Sequence, residues 1–532
     1  MRLTVLLCAL LVAVSGCGKV QQARDAGSSI APAFDEESAS MEPQAQFAPK
    51  SEPAGQFNTE SYDTVVENRF QSPLDEPLST FSVDVDTASY ANVRRFLRDG
   101  RLPPAGAVRI EELINYFDYD YSQPDGSHPF AVNVEAATCP WQPKHLLARI
   151  GLKGVEVDTR ERPDANLVFL LDVSGSMNQP NKLPLVKSSM RMLVEQLRPT
   201  DRVAVVVYAG ASGLVLPSTP VSDELQILNA LERLKAGGST NGGEGIELAY
   251  NVAASNLIPG GINRVILCSD GDFNVGITNR SQLVSLIQDE AKRDVFLSIF
   301  GFGTGNLKDA AMEELSNKGN GTYGYVDSLA EARKVFVEES LGTLMTIAKD
   351  VKIQVDFNPM HVQAYRLIGY ENRVMAAQDF RDDRKDAGEI GSGHTVTALY
   401  EIVPHGVESP VVDVEPSKYQ AVKIELDSSS DEMLTVRLRY KQPDGNEGIE
   451  FHVPASLPDV ESDGSGDLQF AASVALFGML LRDSEYVGTA DWGMVESLAS
   501  AGLNVRSGAS RAEFLELVRA AARLGSREIA GR

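Results

Sequence analysis

Between residues 164 and 349 the chain alternates short apolar runs with amphipathic segments, and few folds tolerate that rhythm. Val, Ile, Leu and Phe dominate the runs at 168–171, 203–208, 265–268 and 295–302, with a shorter run at 322–326. Between them, apolar residues recur at helical spacing over 182–197, 242–255, 281–292 and 329–341, and in a helix capped by Asp223 that ends near Leu234. A strand that is apolar on both sides is buried on both faces, and a helical crossover keeps its neighbours parallel. The pattern predicts an α/β fold: a doubly wound parallel sheet with helices on both faces.

Polar residues then cluster where these strands run out. Asp172-Val173-Ser174-Gly175-Ser176 follows the run Asn166-Leu167-Val168-Phe169-Leu170-Leu171, setting a carboxylate and two hydroxyls at i, i+2 and i+4. Thr240 lies in the loop Gly237-Gly238-Ser239-Thr240-Asn241 ahead of a helix, and Asp270 lies in Ser269-Asp270-Gly271-Asp272 after another apolar strand. In open α/β sheets, ligands gather outside the carboxyl ends of the strands. A donor set of oxygens, few of them charged, suits a small hard divalent cation. Asp-x-Ser-x-Ser alone also suits a helix cap, so the weight falls on three loops supplying the set together.

This set resembles the metal-ion-dependent adhesion site of von Willebrand factor type A (VWA) domains. The resemblance implies that Asp172, Ser174, Ser176, Thr240 and Asp270 are metal ligands. It also implies a divalent cation, Mg²⁺ first and Mn²⁺ or Ca²⁺ after it, and a protein ligand that presents an Asp or Glu carboxylate. Whether Asp172 and Asp270 bind the ion directly or through water stays open. Two carboxylates balance a divalent ion's charge without exceeding it, so the ion can still attract a partner's acid. Asp272 is read as a neighbour behind the ligands or solvated, and Asn178 and Asn241 as turn residues.

The first residues carry a different signal. Arg2, the apolar stretch 3–14 and Val14-Ser15-Gly16-Cys17 resemble the signal and lipobox of bacterial lipoproteins. That resemblance implies removal of residues 1–16, lipidation of Cys17 and a membrane attachment through the N-terminal lipid. By the same resemblance, Gly18 rather than Asp after the cysteine implies, in a Gram-negative organism, a place in the bacterial cell envelope at the outer membrane, on its periplasmic side, ahead of the inner membrane. Residues 17–78, rich in Ala, Gln, Glu, Ser and Pro, read as a flexible tether, the alternative of a folded capping segment applying only to its end at 62–70. Cys8 leaves with the signal, so Cys139 and Cys268 remain, as buried thiols ahead of a disulfide.

At 532 residues the chain has room for about three domains. Residues 79–163 form an N-terminal flank with a strand at 77–86, helices at 88–98 and 110–117, and strands at 130–136 and 146–157. The VWA domain takes 164–349, and 350–459 is a β-rich flank with strands at 351–357, 394–403, 419–426 and 434–440. Residues 460–532 read as helical, with helices at 467–482, 490–501 and 511–522. The two β-rich flanks are expected to meet in one β-sandwich, with the α/β domain inserted between them. This order of segments resembles a group of bacterial VWA lipoproteins along nearly the whole mature chain. Asp84-x-Asp86 reads as turn-capping carboxylates first and a second cation site after that.

A net charge of −25 excludes nucleic acid as the main partner, because phosphate binding needs basic surface. Gly242-Gly243-Glu244-Gly245 lacks the lysine of a phosphate loop, which argues against a nucleotide. His128, His145, His361, His394, His405 and His452 lie outside 164–349 without zinc spacing and read as surface or loop residues. No nucleophile-and-base set stands out, so the chain is read as no enzyme. The expected function is a lipid-anchored, cation-dependent protein-interaction module of the cell envelope. Its alternatives are a metal-assisted hydrolase or chelatase-like partner subunit, and an envelope scaffold whose cation is purely structural.

Overall fold

The computed structural model describes residues 60–158, 160–209, 211–238, 242–271, 280–385, 387–411, 430–456, 463–503 and 508–531. The N-terminal flank contributes β1 (Leu78–Ser82), α1 (Ala88–Arg98), α2 (Ile110–Asn115), β2 (Phe130–Thr138) and β3 (Leu146–Gly154). The α/β domain follows with β4 (Ala165–Asp172), α3 (Leu183–Val194), β5 (Arg202–Ala209), β6 (Ala211–Pro220), α4 (Glu224–Arg233), α5 (Gly242–Ser255) and β7 (Ile262–Ser269). It continues through α6 (Arg280–Ala291), β8 (Phe296–Phe302), α7 (Asp309–Lys318), β9 (Tyr323–Val326), α8 (Leu329–Arg333) and α9 (Ser340–Leu344).

The sheet order is β6-β5-β4-β7-β8-β9, parallel except for the β5–β6 pair. Alternation along β4 shows how both faces are filled. Leu167, Phe169 and Leu171 pack with Val186 and Met190 of α3 and Ile227 of α4, whereas Val168 and Leu170 pack with Ile246 and Ala249 of α5 and Ile287 of α6. Ala88 and Ala91 of α1 join that second face, so the N-terminal flank is built onto the domain it precedes.

Two features depart from the expectation. β6 was not foreseen: its Pro217 and Pro220 mask the strand pattern, and an edge position is where a sheet tolerates proline. The helix expected over 329–341 is instead α8, a π-turn at Lys334–Glu338 and then α9. The wide turn lets the half-buried Lys334 pair with Glu339.

The C-terminal flank supplies β10 (Thr346–Phe357), β11 (Val362–Ile368), β12 (Val374–Met375), β13 (Gly388–Gly391), β14 (Thr395–Pro404), β15 (Glu432–Lys441) and β16 (Gly448–Ser456). One sheet runs β12-β1-β10-β15-β16 with β13 on β10, and the other runs β11-β14-β3-β2. Each therefore pairs strands from both sides of the α/β domain, Leu78 against Asp356 in one and Ile150 against Ala398 in the other. Phe81, Ile150, Ile353, Val396 and Leu438 share the core between them, so the flanks form one sandwich and the α/β domain is an insertion in it. β10 begins at Thr346, a few residues before the boundary expected at 350. The strand expected over 419–426 lies outside the described residues.

A further core gathers α2 with α10 (Gly466–Arg482), α11 (Trp492–Ala501) and α12 (Gly508–Gly531), the last longer than the sequence suggested. Among the described residues no helix is long and apolar enough to cross a membrane. The tether reading needs correction at its end, because residues 60–77 are laid on the fold by polar contacts that leave no periodic trace. Ser61 N–H donates to the Leu307 carbonyl at 3.1 Å, Gln71 and Tyr365 exchange backbone bonds at 2.9 and 3.0 Å, and Asn68 Nδ2 donates to the Gly369 carbonyl at 2.8 Å. Cys17 and its surroundings lie outside the described residues. Cys139 and Cys268 are buried free thiols. His145, expected at the surface, is buried instead, with Nδ1 2.7 Å from Glu401 Oε1.

Candidate metal centre

β4 and β7 are parallel neighbours, with Leu171 opposite Cys268, so Asp172 and Asp270 come off adjacent strands at the carboxyl edge of the sheet. Both carboxylates are fully buried. The 173–176 turn folds back so that Ser174 N–H donates to Asp172 Oδ1 at 2.8 Å, while the Ser174 and Ser176 hydroxyls meet at 2.9 Å. Ser174 is buried, Ser176 half-buried and Gly175 exposed, which leaves the hydroxyl pair on the solvent side of the acids. The structure thus brings Asp172, Ser174, Ser176 and Asp270 to one place. Thr240, Asn241 and Asp272 lie outside the described residues. The loop leading to Thr240 is nonetheless tied to the same turn, since Gly237 N–H donates to the Val173 carbonyl at 2.7 Å and Gly175 N–H to the Gly238 carbonyl at 3.2 Å.

Behind the acids stand residues that sequence reasoning passed over. Ser269 Oγ and the Tyr208 hydroxyl donate to Asp172 Oδ2 at 3.1 and 3.3 Å. Lys182 Nζ lies 2.7 Å from Asp270 Oδ2, which also accepts from Asn306 Nδ2 at 3.3 Å. Gly271, at φ +94°, makes room for that asparagine's loop: a Cβ there would lie 2.5 Å from Leu307 Cα. The loop is in turn held by Glu60, whose Oε1 accepts from Gly305 N–H at 2.8 Å. Ser269 was readable as the residue before Asp270; Lys182 and Asn306 carry no local signal.

Burial pushes the Asp172 carboxyl up to about 6, with the charge of Asp270 adding to it, against the hydrogen bonds from Ser174 and Ser269. Two acids that repel each other, two hydroxyls and no soft ligand form a donor set that fits a hard divalent ion.

The second acidic group suggested by the sequence is built otherwise. Asp84, Asp86 and Glu313 are buried with their oxygens within 4.8 Å of one another. Arg373 already answers all three, at 3.0 Å from Asp84 Oδ2, 3.4 Å from Asp86 Oδ2 and 3.3 Å from Glu313 Oε1. Asp84 Oδ1 also accepts from Asp86 N–H at 2.9 Å, the turn-capping role expected of it. Asp86 Oδ1 accepts from Tyr323 N–H at 2.8 Å, so the cluster joins the inserted domain to the sandwich.

Fold and site together define a von Willebrand type A domain within a larger bacterial protein. The family model described as von Willebrand factor type A domain matches residues 166–338, one described as von Willebrand factor matches 56–149, and one described as the C-terminal part of uncharacterized protein YfbK matches 342–524. The YfbK protein of Escherichia coli is 40% identical over 467 residues, covering 86% of this chain and 80% of its own length. The chain belongs to the YfbK family. Protein sll0103 of Synechocystis is 30% identical over 189 residues, covering 35% of this chain and 44% of its own. The solved von Willebrand factor type A structure from Catenulispora acidiphila covers 75% of this chain and 92% of its own, at 15% identity and a TM-score of 0.42. VWA domains are protein-interaction modules that often hold a divalent metal at an adhesion site.

Proposed function

We propose that this chain is a lipid-anchored protein of the bacterial cell envelope whose VWA domain captures a protein partner through a divalent cation. Asp172, Ser174, Ser176, Thr240 and Asp270 would hold the ion, Mg²⁺ first, and the ion would supply a Lewis-acidic site for a partner's Asp or Glu carboxylate. The observation that carries the reading is the convergence of Asp172, Ser174, Ser176 and Asp270 at one edge of the parallel sheet, the serine hydroxyls 2.9 Å apart beside an exposed glycine. The hydroxyls serve as neutral donors, so the site adds no third carboxylate that would turn it net negative and repel a partner's acid. Tyr208 and Ser269 fix the Asp172 carboxylate by hydrogen bonds. Anchoring at Cys17 rests on the lipobox, with 42 residues between Cys17 and Glu60.

Full burial of both acids also suits the scaffold reading, in which the cation serves stability alone. Crosslinking on cells separates the two. Wild type should capture a partner in Mg²⁺ and lose it in EDTA, and Ser174→Ala/Ser176→Ala should lose it in both. A partner retained by the folded double variant would sink the adhesion reading. Radiolabelled palmitate incorporated by wild type and absent from Cys17→Ala tests the anchor.

A further inference from the structure

Lys182 is the feature of the site that its proposed use does not absorb. An ammonium is a strange neighbour for a carboxylate meant to bind a metal ion, since the two cations repel. Its place is nevertheless constructed. Lys182 is 2% exposed and pairs with Asp270 Oδ2 at 2.7 Å, and taking an ammonium out of water is costly unless a partner is built for it. Its stem runs across Gly303, where φ is +76° and a Cβ would lie 2.4 Å from both Lys182 Cγ and Cε. Gly303 follows β8, so the end of a third strand is shaped to receive this side chain. The two acids with Lys182 carry a formal charge of −1, where the acids alone would carry −2.

Building on the reading of Asp270 as a ligand, we propose that Lys182 is an internal counter-ion that competes with the divalent cation for Asp270 and so sets the affinity of the site. With its charge on Asp270, the buried acids stay partnered at low cation concentration. Cation binding then requires the ammonium to give up Asp270 Oδ2 or to share it. Lysine suits this role better than arginine would, because it is a point charge on a flexible stem that can withdraw.

The test uses the full chain titrated with Mg²⁺ in a calorimeter, comparing wild type with Lys182→Met, which keeps the stem against Gly303 and removes the charge. A unit charge and a double charge a few ångströms apart repel enough, even at the dielectric of water, to predict about tenfold tighter binding in Lys182→Met. Unchanged or weaker binding by the folded variant, with wild type binding normally, overturns the counter-ion and leaves the metal site standing. No binding by either protein, both folded, overturns the metal site and the counter-ion with it. Should Lys182→Met not fold, the wild-type chain carries the test by NMR. The Lys182 Nζ resonance should shift as Mg²⁺ saturates the site, and a resonance that stays put at saturation overturns the proposal.

Discussion

Two of the molecule's clusters of buried carboxylates solve the same electrostatic problem in opposite ways. At the joint between the inserted domain and the sandwich, Asp84, Asp86, Glu112, Asp309 and Glu313 share two guanidiniums, those of Arg109 and Arg373. At the sheet edge, Asp172 has hydroxyls and a backbone N–H, and Asp270 has Lys182 and Asn306. A guanidinium is always charged and binds several acids at once in fixed geometry, so the joint is a permanent fastening. Hydroxyls and one ammonium on a long stem can exchange their partners. On the proposed reading, acid density does not by itself mark a cation site. The joint has more carboxylates, yet the sheet edge is the place where counter-charge is replaceable.

The largest effect should come from breaking the joint. Arg373→Met leaves three buried acids without their shared cation and should lower the unfolding free energy in urea by about 3–5 kcal/mol, with Mg²⁺ unable to restore it. Substantial rescue by Mg²⁺ would mean that the joint takes metal after all, erasing the contrast.

A smaller effect should appear with pH. Burial pushes Glu111 up to about 7, with Glu371 beside it, and pushes Glu112 up to about 8 against the pull of Arg109. The folded chain therefore holds these protons more tightly than the unfolded chain does, and stability falls as pH rises between about 4.5 and 8. Urea unfolding should give a lower free energy near pH 8.5 than near pH 5.5, with about 2 kcal/mol of the difference carried by Glu111 alone. Glu111→Gln, which keeps an oxygen for Tyr370 N–H, should shrink that difference; an equal difference in wild type and variant would remove Glu111 from the account.

The smallest change in stability should come from the sheet edge. Asp172→Asn removes a charge that is costly to bury and keeps an oxygen for Ser174 N–H, so stability without cation should move by less than about 1 kcal/mol. The rise in melting temperature on adding Mg²⁺ should vanish in the same variant. A variant that still gains stability from Mg²⁺ would place the ion elsewhere.

Much of this contrast was legible in the sequence because it follows from periodicity and from local order. The unbroken apolar run of β4 signalled burial on both faces, and the position of Asp172 and Asp270 after apolar runs put them at one edge. Strand-like patterning at 146–157 and 394–403 was enough to suggest that the flanks meet, and β3 pairs with β14 as that required. What stayed hidden depends on contacts distant in the chain. Lys182 reaches Asp270 across 88 residues and Arg373 reaches Asp84 across 289, and nothing beside either residue reports its partner. Residues 60–77 were hidden for another reason: they bind by backbone and polar contacts and by isolated aromatic rings such as Tyr62 and Phe70, which leave no hydropathic rhythm.

The most direct measurement is anomalous diffraction from crystals of the full chain grown in Mn²⁺. The account predicts a peak among Asp172, Ser174, Ser176 and Asp270, with Lys182 Nζ drawn away from Asp270 Oδ2. A peak among Asp84, Asp86 and Glu313, with none at the sheet edge, would contradict it.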